Sequence, residues 1–199
     1  MANPDAGVEL LERALAYTRG TLLHVRPAHL HRPTPCAGWD LDRLLDHMDD
    51  ALDAFTEGAV GVITLDPTPR ALDVRVATLQ LKACGLLGAW SAPGTPGTVV
   101  VGGLPVPTPY VVRLAAVEIT THGWDVAQAT GRATPVPDGL ARALHRSAEV
   151  LVDDSDRGDR FAAPLTPHAG AGPGERLMAF LGRADRTRAA SDALRTRPA

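Results

Sequence analysis

The stretch PYVVRLAAVEITTHGWDVAQAT, residues 109–130, decides how this chain folds. Its apolar residues recur at helical spacing, Pro109 suits a first helical turn, and Gly131 follows as a C-terminal cap. On a helical wheel, Val111, Leu114, Ala115, Val126 and Ala129 share one side, the expected core face. Glu118, His122 and Asp125 fall in the middle of that same side, whereas Arg113, Thr120 and Gly123 lie on or near the opposite one. Ionisable groups therefore point where the pattern demands hydrocarbon.

A lone buried carboxylate costs several kcal/mol, so it must be paired, protonated or bound to a cation. Glu118 and His122 stand at i and i+4, about 6 Å apart at Cβ and facing the same way. That separation lets both converge on one ion at roughly 2.0–2.2 Å. A third ligand must come from another helix. His47, beside Leu44 and Met48 in an earlier apolar-periodic stretch, lies at the flank of that stripe. Two histidines and a glutamate with an open fourth position form a catalytic zinc set, and the same donors can hold Fe(II). Asp125, one turn beyond His122, is placed to orient an imidazole. The pattern equally allows Glu118 to pair with an arginine and His122 to be a satisfied core histidine, and helix phase alone does not choose His47.

Working outward, a first helix is expected from Asn3-Pro4 to about Val25, with Asn as cap and Pro at the first helical position. Arg26 to Gly38 holds three prolines and reads as a loop. A second helix opens at Trp39-Asp40, with Asp40 as N-cap and Trp39 folding over Leu44. Its apolar face is Leu41, Leu44, Leu45, Met48, Leu52 and Phe55, and Asp46, Asp49, Asp50 and Asp53 read as its solvated face. A third helix is expected from about Pro69 to Trp90, after the turn Asp66 to Pro69. Thr98 to Val106 reads as a β-hairpin turning on Gly102-Gly103. Beyond the helix of residues 109–130, another spans Asp138 to Val152 and a short one Glu175 to Leu181. Long helices with short connections argue for an antiparallel four-helix bundle. Residues 1–185 are expected to form a single domain and 186–199 a disordered polar tail.

Composition limits the function classes. With 20 basic and 23 acidic residues the net charge is −3, which gives no electrostatic footprint for nucleic acid or an anionic membrane. No export signal or membrane-spanning run is visible, so a cytoplasmic protein is expected. Cys36 and Cys84 are the only two cysteines and read as free thiols, both packed. Trp39 and Trp124 read as core packing, and His24, His29 and His31 as exposed loop histidines. His145 and His168 have no evident partner.

The string Thr34-Pro35-Cys36-Ala37-Gly38-Trp39-Asp40, followed by Leu44-Leu45-Asp46-His47, resembles a signature of actinobacterial DinB-like proteins. That group is related to the N-terminal domain of mycothiol-dependent maleylpyruvate isomerase. Glu118 to Ala127, running into Thr130-Gly131-Arg132, is similar to the family's second motif, and Phe180-Leu181-Gly182-Arg183 to its usual C-terminal ending. The resemblance implies a mainly-α, DinB-like four-helix bundle with a divalent metal, typically zinc, on the matching His47, Glu118 and His122.

It further implies a metal-dependent transferase or isomerase that activates a low-molecular-weight thiol, mycothiol, towards an electrophilic small molecule. The expected partners are that thiol and that substrate, with a homodimer as a possible assembly. A thiol-independent hydrolase, lyase or Lewis-acid catalyst, and a non-catalytic metal-binding protein, are the competing readings.

Overall fold

The computed structural model describes residues 4–60, 71–132, 134–158 and 161–185. Helix α1 covers Pro4–Leu22, α2 Leu41–Val60 and α3 Leu72–Ser91; strands β1 (Thr98–Val101) and β2 (Leu104–Pro107) follow. Then come α4 (Thr108–Thr130), α5 (Asp138–Leu151) and α6 (Pro173–Phe180). The expected Asn3 cap, the turn at residues 66–69 and the tail 186–199 lie outside the described residues. No helix among those described is long and apolar enough to cross a membrane.

Helices α1 and α2 each pack on both α3 and α4, so α1 faces α2, and α3 faces α4, across the diagonals of a four-helix bundle. The two diagonal steps of the chain use its longer connections, residues 23–40 and the hairpin. The expected mainly-α, DinB-like bundle with a short hairpin and a C-terminal extension is what the structure shows.

Local chemistry accounts for the boundaries. Helix α1 stops at Leu22, three residues short of the expected end. Tight turns bond His24 N to Thr21 O and Val25 N to Leu22 O, and the Arg26 backbone is already extended ahead of Pro27. Asp40 caps α2 as expected, accepting from the Arg43 N–H at 3.0 Å. In the hairpin Val101 pairs with Leu104, and Gly102 and Gly103 both take positive φ, the twist a two-residue turn requires.

Two expectations about helix faces are corrected. Helix α4 is not amphipathic in its second half: every residue from Ile119 to Thr130 is buried. The side marked polar by Thr120 and Gly123 is covered because small residues admit a close neighbour. A Cβ on Gly123 would stand 2.3 Å from Thr18 Oγ1 and 3.1 Å from Thr18 Cα. Thr18 in turn donates to the Ile119 carbonyl at 2.7 Å. Helix α5 packs against α4 and α1, and α6 packs on α5.

The acidic face of α2 is not merely solvated either. Arg75 of α3 reaches both Asp42 and Asp46, and Lys82 stands 2.7 Å from Asp49 and 2.6 Å from Asp53. These pairs join α2 to α3 as a ladder along the bundle.

Candidate metal centre

Helix α4 carries Glu118, His122 and Asp125 on successive turns of one face, and α2 brings His47 opposite them. The Nε2 atoms of His47 and His122 each lie 2.9 Å from the same Glu118 oxygen, Oε1. On its other edge, His122 Nδ1 meets Asp125 Oδ2 at 3.1 Å. One ligand atom from each of His47, Glu118 and His122 falls within 4.8 Å of the others. Four of the sequence's candidates thus converge, including His47, which helix phase could not select. The arginine partner allowed for Glu118 is not what it meets: its ion-pair partners among the described residues are the two imidazoles.

Burial is graded across the cluster. Asp125 and His122 are buried, whereas the side chains of His47 and Glu118 keep 36% and 23% of their surface. The cluster therefore has a dry back at Asp125 and a front reachable from solvent. Trp39 packs half-buried against the core, as expected, and also forms part of the wall. Its ring meets the edge of His47 with centroids 4.9 Å apart and lies nearly parallel to His122 at 6.5 Å. The Arg43 guanidinium sits 4.8 Å over the Trp39 ring. Trp124 is buried, as expected.

The protonation pattern shows what the cluster needs. Burial alone disfavours both charged forms. Even so, the His122 pKa is pushed up to about 9, because the Glu118 carboxylate and the Asp125 hydrogen bond favour the imidazolium. Glu118 is held well below the usual carboxylate range by His122 and His47, which outweigh its own burial. In this arrangement both ring nitrogens of His122 face carboxylate oxygens, and both can donate only if the ring is charged.

The donors fit a divalent cation in place of that proton. Three donors on a tetrahedral ion at about 2.0–2.2 Å stand roughly 3.3–3.6 Å apart. The two imidazole–carboxylate contacts, 2.9 Å each, need to open by about half an ångström, and the two imidazoles already lie within 4.8 Å of each other. Neutral imidazole and carboxylate suit zinc and iron alike.

Other candidates fall outside. Cys36 is half-buried and is not one of the three donors; burial raises its thiol pKa. Cys84, expected to pack, is exposed. His31 is exposed as expected, but His24 and His29 are partly buried. His145 and His168, read as unpartnered, lie 3.8 Å from Glu149 and 2.9 Å from Glu175 respectively. Sequence reasoning missed Arg183, whose Nε lies 3.6 Å from Asp125 Oδ2; the signal available was the Leu181-Gly182-Arg183 ending.

The same fold occurs in a crystal structure of a mutant of mycothiol-dependent maleylpyruvate isomerase. The TM-score is 0.53 at 17% sequence identity, over 75% of this chain and 70% of that one. The chain therefore shares that protein's fold and carries a two-histidine, one-glutamate cluster between α2 and α4. An uncharacterised protein from each of two strains of Mycobacterium tuberculosis is 31% identical over 182 residues, 86% of this chain and 94% of its own. The chain belongs to the family of these mycobacterial proteins. No family model matches it.

Proposed function

We propose that this protein is a divalent-metal enzyme, with zinc as the metal, of the mycothiol-dependent maleylpyruvate isomerase type. In this reading a single domain, residues 1–185, works in the cytoplasm, and His47, Glu118 and His122 hold the metal. The observation that carries it is the meeting of two imidazoles and a carboxylate, drawn from two helices, within 4.8 Å. When bound, zinc supplies Lewis acidity that turns a coordinating thiol into a thiolate at neutral pH.

The chain's own residues do the rest. Asp125 accepts from His122 Nδ1 and so turns Nε2 towards the site. Trp39 covers one flank, with Arg43 over its outer face. The partly exposed edge of His47 and Glu118 is where a low-molecular-weight thiol such as mycothiol and an electrophilic small molecule would enter. Leu15, Leu22, Leu52 and Leu79 line a small cavity against Glu118 and His122, of about 20 Å³, room for a single water. The substrate therefore approaches from the open edge rather than through the bundle.

The described residues offer three donors and no fourth, which favours an exogenous ligand over a purely structural clip. Elemental analysis of wild type beside His47→Ala, Glu118→Ala and His122→Ala tests the site: one metal in wild type and loss in all three is expected. Turnover of electrophiles by the loaded protein, with and without thiol, tests the reaction. Turnover indifferent to thiol moves the assignment to a water-activating or Lewis-acid enzyme, and no turnover across a broad panel removes the thiol chemistry.

A further inference from the structure

On the side of His122 away from Glu118, the C-terminal segment closes in. After α6 the backbone turns at Gly182, pressed so near Ala162 that a Cβ would stand 2.7 Å from the Ala162 carbonyl oxygen. That turn delivers Arg183, buried in the bundle. Its Nη1 donates to the Leu181 carbonyl at 3.2 Å, and its Nε, without a hydrogen-bond partner among the described residues, lies 3.6 Å from Asp125 Oδ2 as an ion pair. Asp125 is fully buried, and among the described residues its second oxygen, Oδ1, has no hydrogen-bond partner. Its ion-pair partners among those residues are His122 and Arg183.

We propose that Arg183 is a positioning residue for the metal centre: it fixes the Asp125 carboxylate, which in turn holds His122 with Nε2 aimed at Glu118 and His47. The proposal rests on the metal-site reading given above. A carboxylate this deep needs a countercharge, and the guanidinium supplies a permanent one through an ion pair at 3.6 Å. Groups behind a ligating histidine set its ring orientation, and their loss typically weakens metal binding about 10–100-fold. In this way the C-terminal segment contributes to the centre without touching the metal.

A merely structural role is separable, because the same segment has a second anchor. Arg157 donates to the Ala162 and Phe180 carbonyls at 3.0 Å each and lies 4.9 Å over the Phe180 ring. None of these contacts reaches Asp125.

The test combines zinc dissociation constants, by chelator competition, with imidazole nitrogen spectra of His122 in the metal-free protein. Arg183→Gln is expected to weaken zinc binding about 10–100-fold and to change the His122 Nδ1 signal. Arg183→Lys should restore most of both. Asp125→Asn should weaken binding comparably, and adding Arg183→Gln to it should cost little more, since both act through one contact. Arg157→Ala should lower the thermal midpoint and leave zinc affinity alone.

Wild-type affinity and an unchanged His122 signal in Arg183→Gln would overturn the proposal, as would an equal loss of affinity in Arg157→Ala. If wild type binds no zinc, the metal reading fails by itself, while the His122 spectra still decide whether Arg183 acts on it. If Arg183→Gln does not fold, Arg183→Lys decides: near-wild-type affinity supports the role, and a loss matching Asp125→Asn refutes it.

Discussion

Helix α2 carries acid–base contacts to two neighbours, and they are built from similar groups to opposite ends. Towards α3, Asp42, Asp46, Asp49 and Asp53 meet Arg75 and Lys82. Towards α4, His47 meets Glu118, which also meets His122. The first set is closed: its cations are permanent at neutral pH and sit between carboxylates that are themselves partly exposed. The second set has no permanent cation at its front. Among the described residues Glu118 is ion-paired with imidazoles alone, and an imidazole's charge is a proton that can be exchanged. A contact that stabilises is one whose charge cannot leave; a contact that can do chemistry is one whose charge can be replaced.

The largest expected effect breaks that contrast at its centre. Glu118→Gln should abolish stoichiometric metal binding, measured by elemental analysis, whereas Asp46→Asn in the ladder should leave metal content at the wild-type value.

Next comes pH. The folded-state pKa of His122 lies above its ordinary 6.5, at about 9, so its contribution is complete below about pH 6.5 and disappears as pH rises through 9. The folded-state pKa of Glu118 is depressed below 4.5, so its contribution is present above pH 4.5 and is lost as pH falls. The metal-free protein should therefore be most stable between these limits, and should lose up to about 3 kcal/mol by pH 9.5. With zinc the trend at the site reverses, because binding displaces the proton and tightens as pH rises. Urea midpoints at pH 6 and 9.5, with and without chelator, check both signs. A metal-free midpoint independent of pH would show that His122 holds no such proton.

Gly123→Ala should destabilise by about 1–3 kcal/mol, because α1 would have to move away from α4. Lys82→Met removes a contact whose charge cannot leave and should cost about 1 kcal/mol, since the more exposed Asp53 can be hydrated instead while Asp49, 20% exposed, loses its cation. The two are compared by thermal denaturation, and the cost of Lys82→Met should shrink in high salt.

Much of this was legible in the sequence, for reasons particular to each part. Glu118, His122 and Asp125 lie on one helix, and helical phase places them together without knowledge of the rest. The Gly102-Gly103 turn and the Asp40 cap are local in the same sense. His47 belongs to another helix, and phase put it only at the flank of a stripe; its part in the cluster was implied by the family resemblance. Arg183 was visible only as part of the Leu181-Gly182-Arg183 ending, and its place beside Asp125 was not, because a loop delivers it and loops have no period. The α2–α3 ladder was misread since aspartates on a helix face look alike whether water or an arginine meets them. The all-round burial of the second half of α4 was missed because threonine and glycine count as non-core residues, although their small size is what lets α1 approach.

Three of the four groups around the centre ride on α4, so their mutual spacing is as fixed as the helix itself. His47 alone stands across a gap, and the width of that gap is the one dimension left to adjust. A cation of larger radius would have to push α2 away from α4, against the ladder that ties α2 to α3. In the proposed metal centre the bundle would thus act as a calliper, its resistance to opening entering the choice of ion.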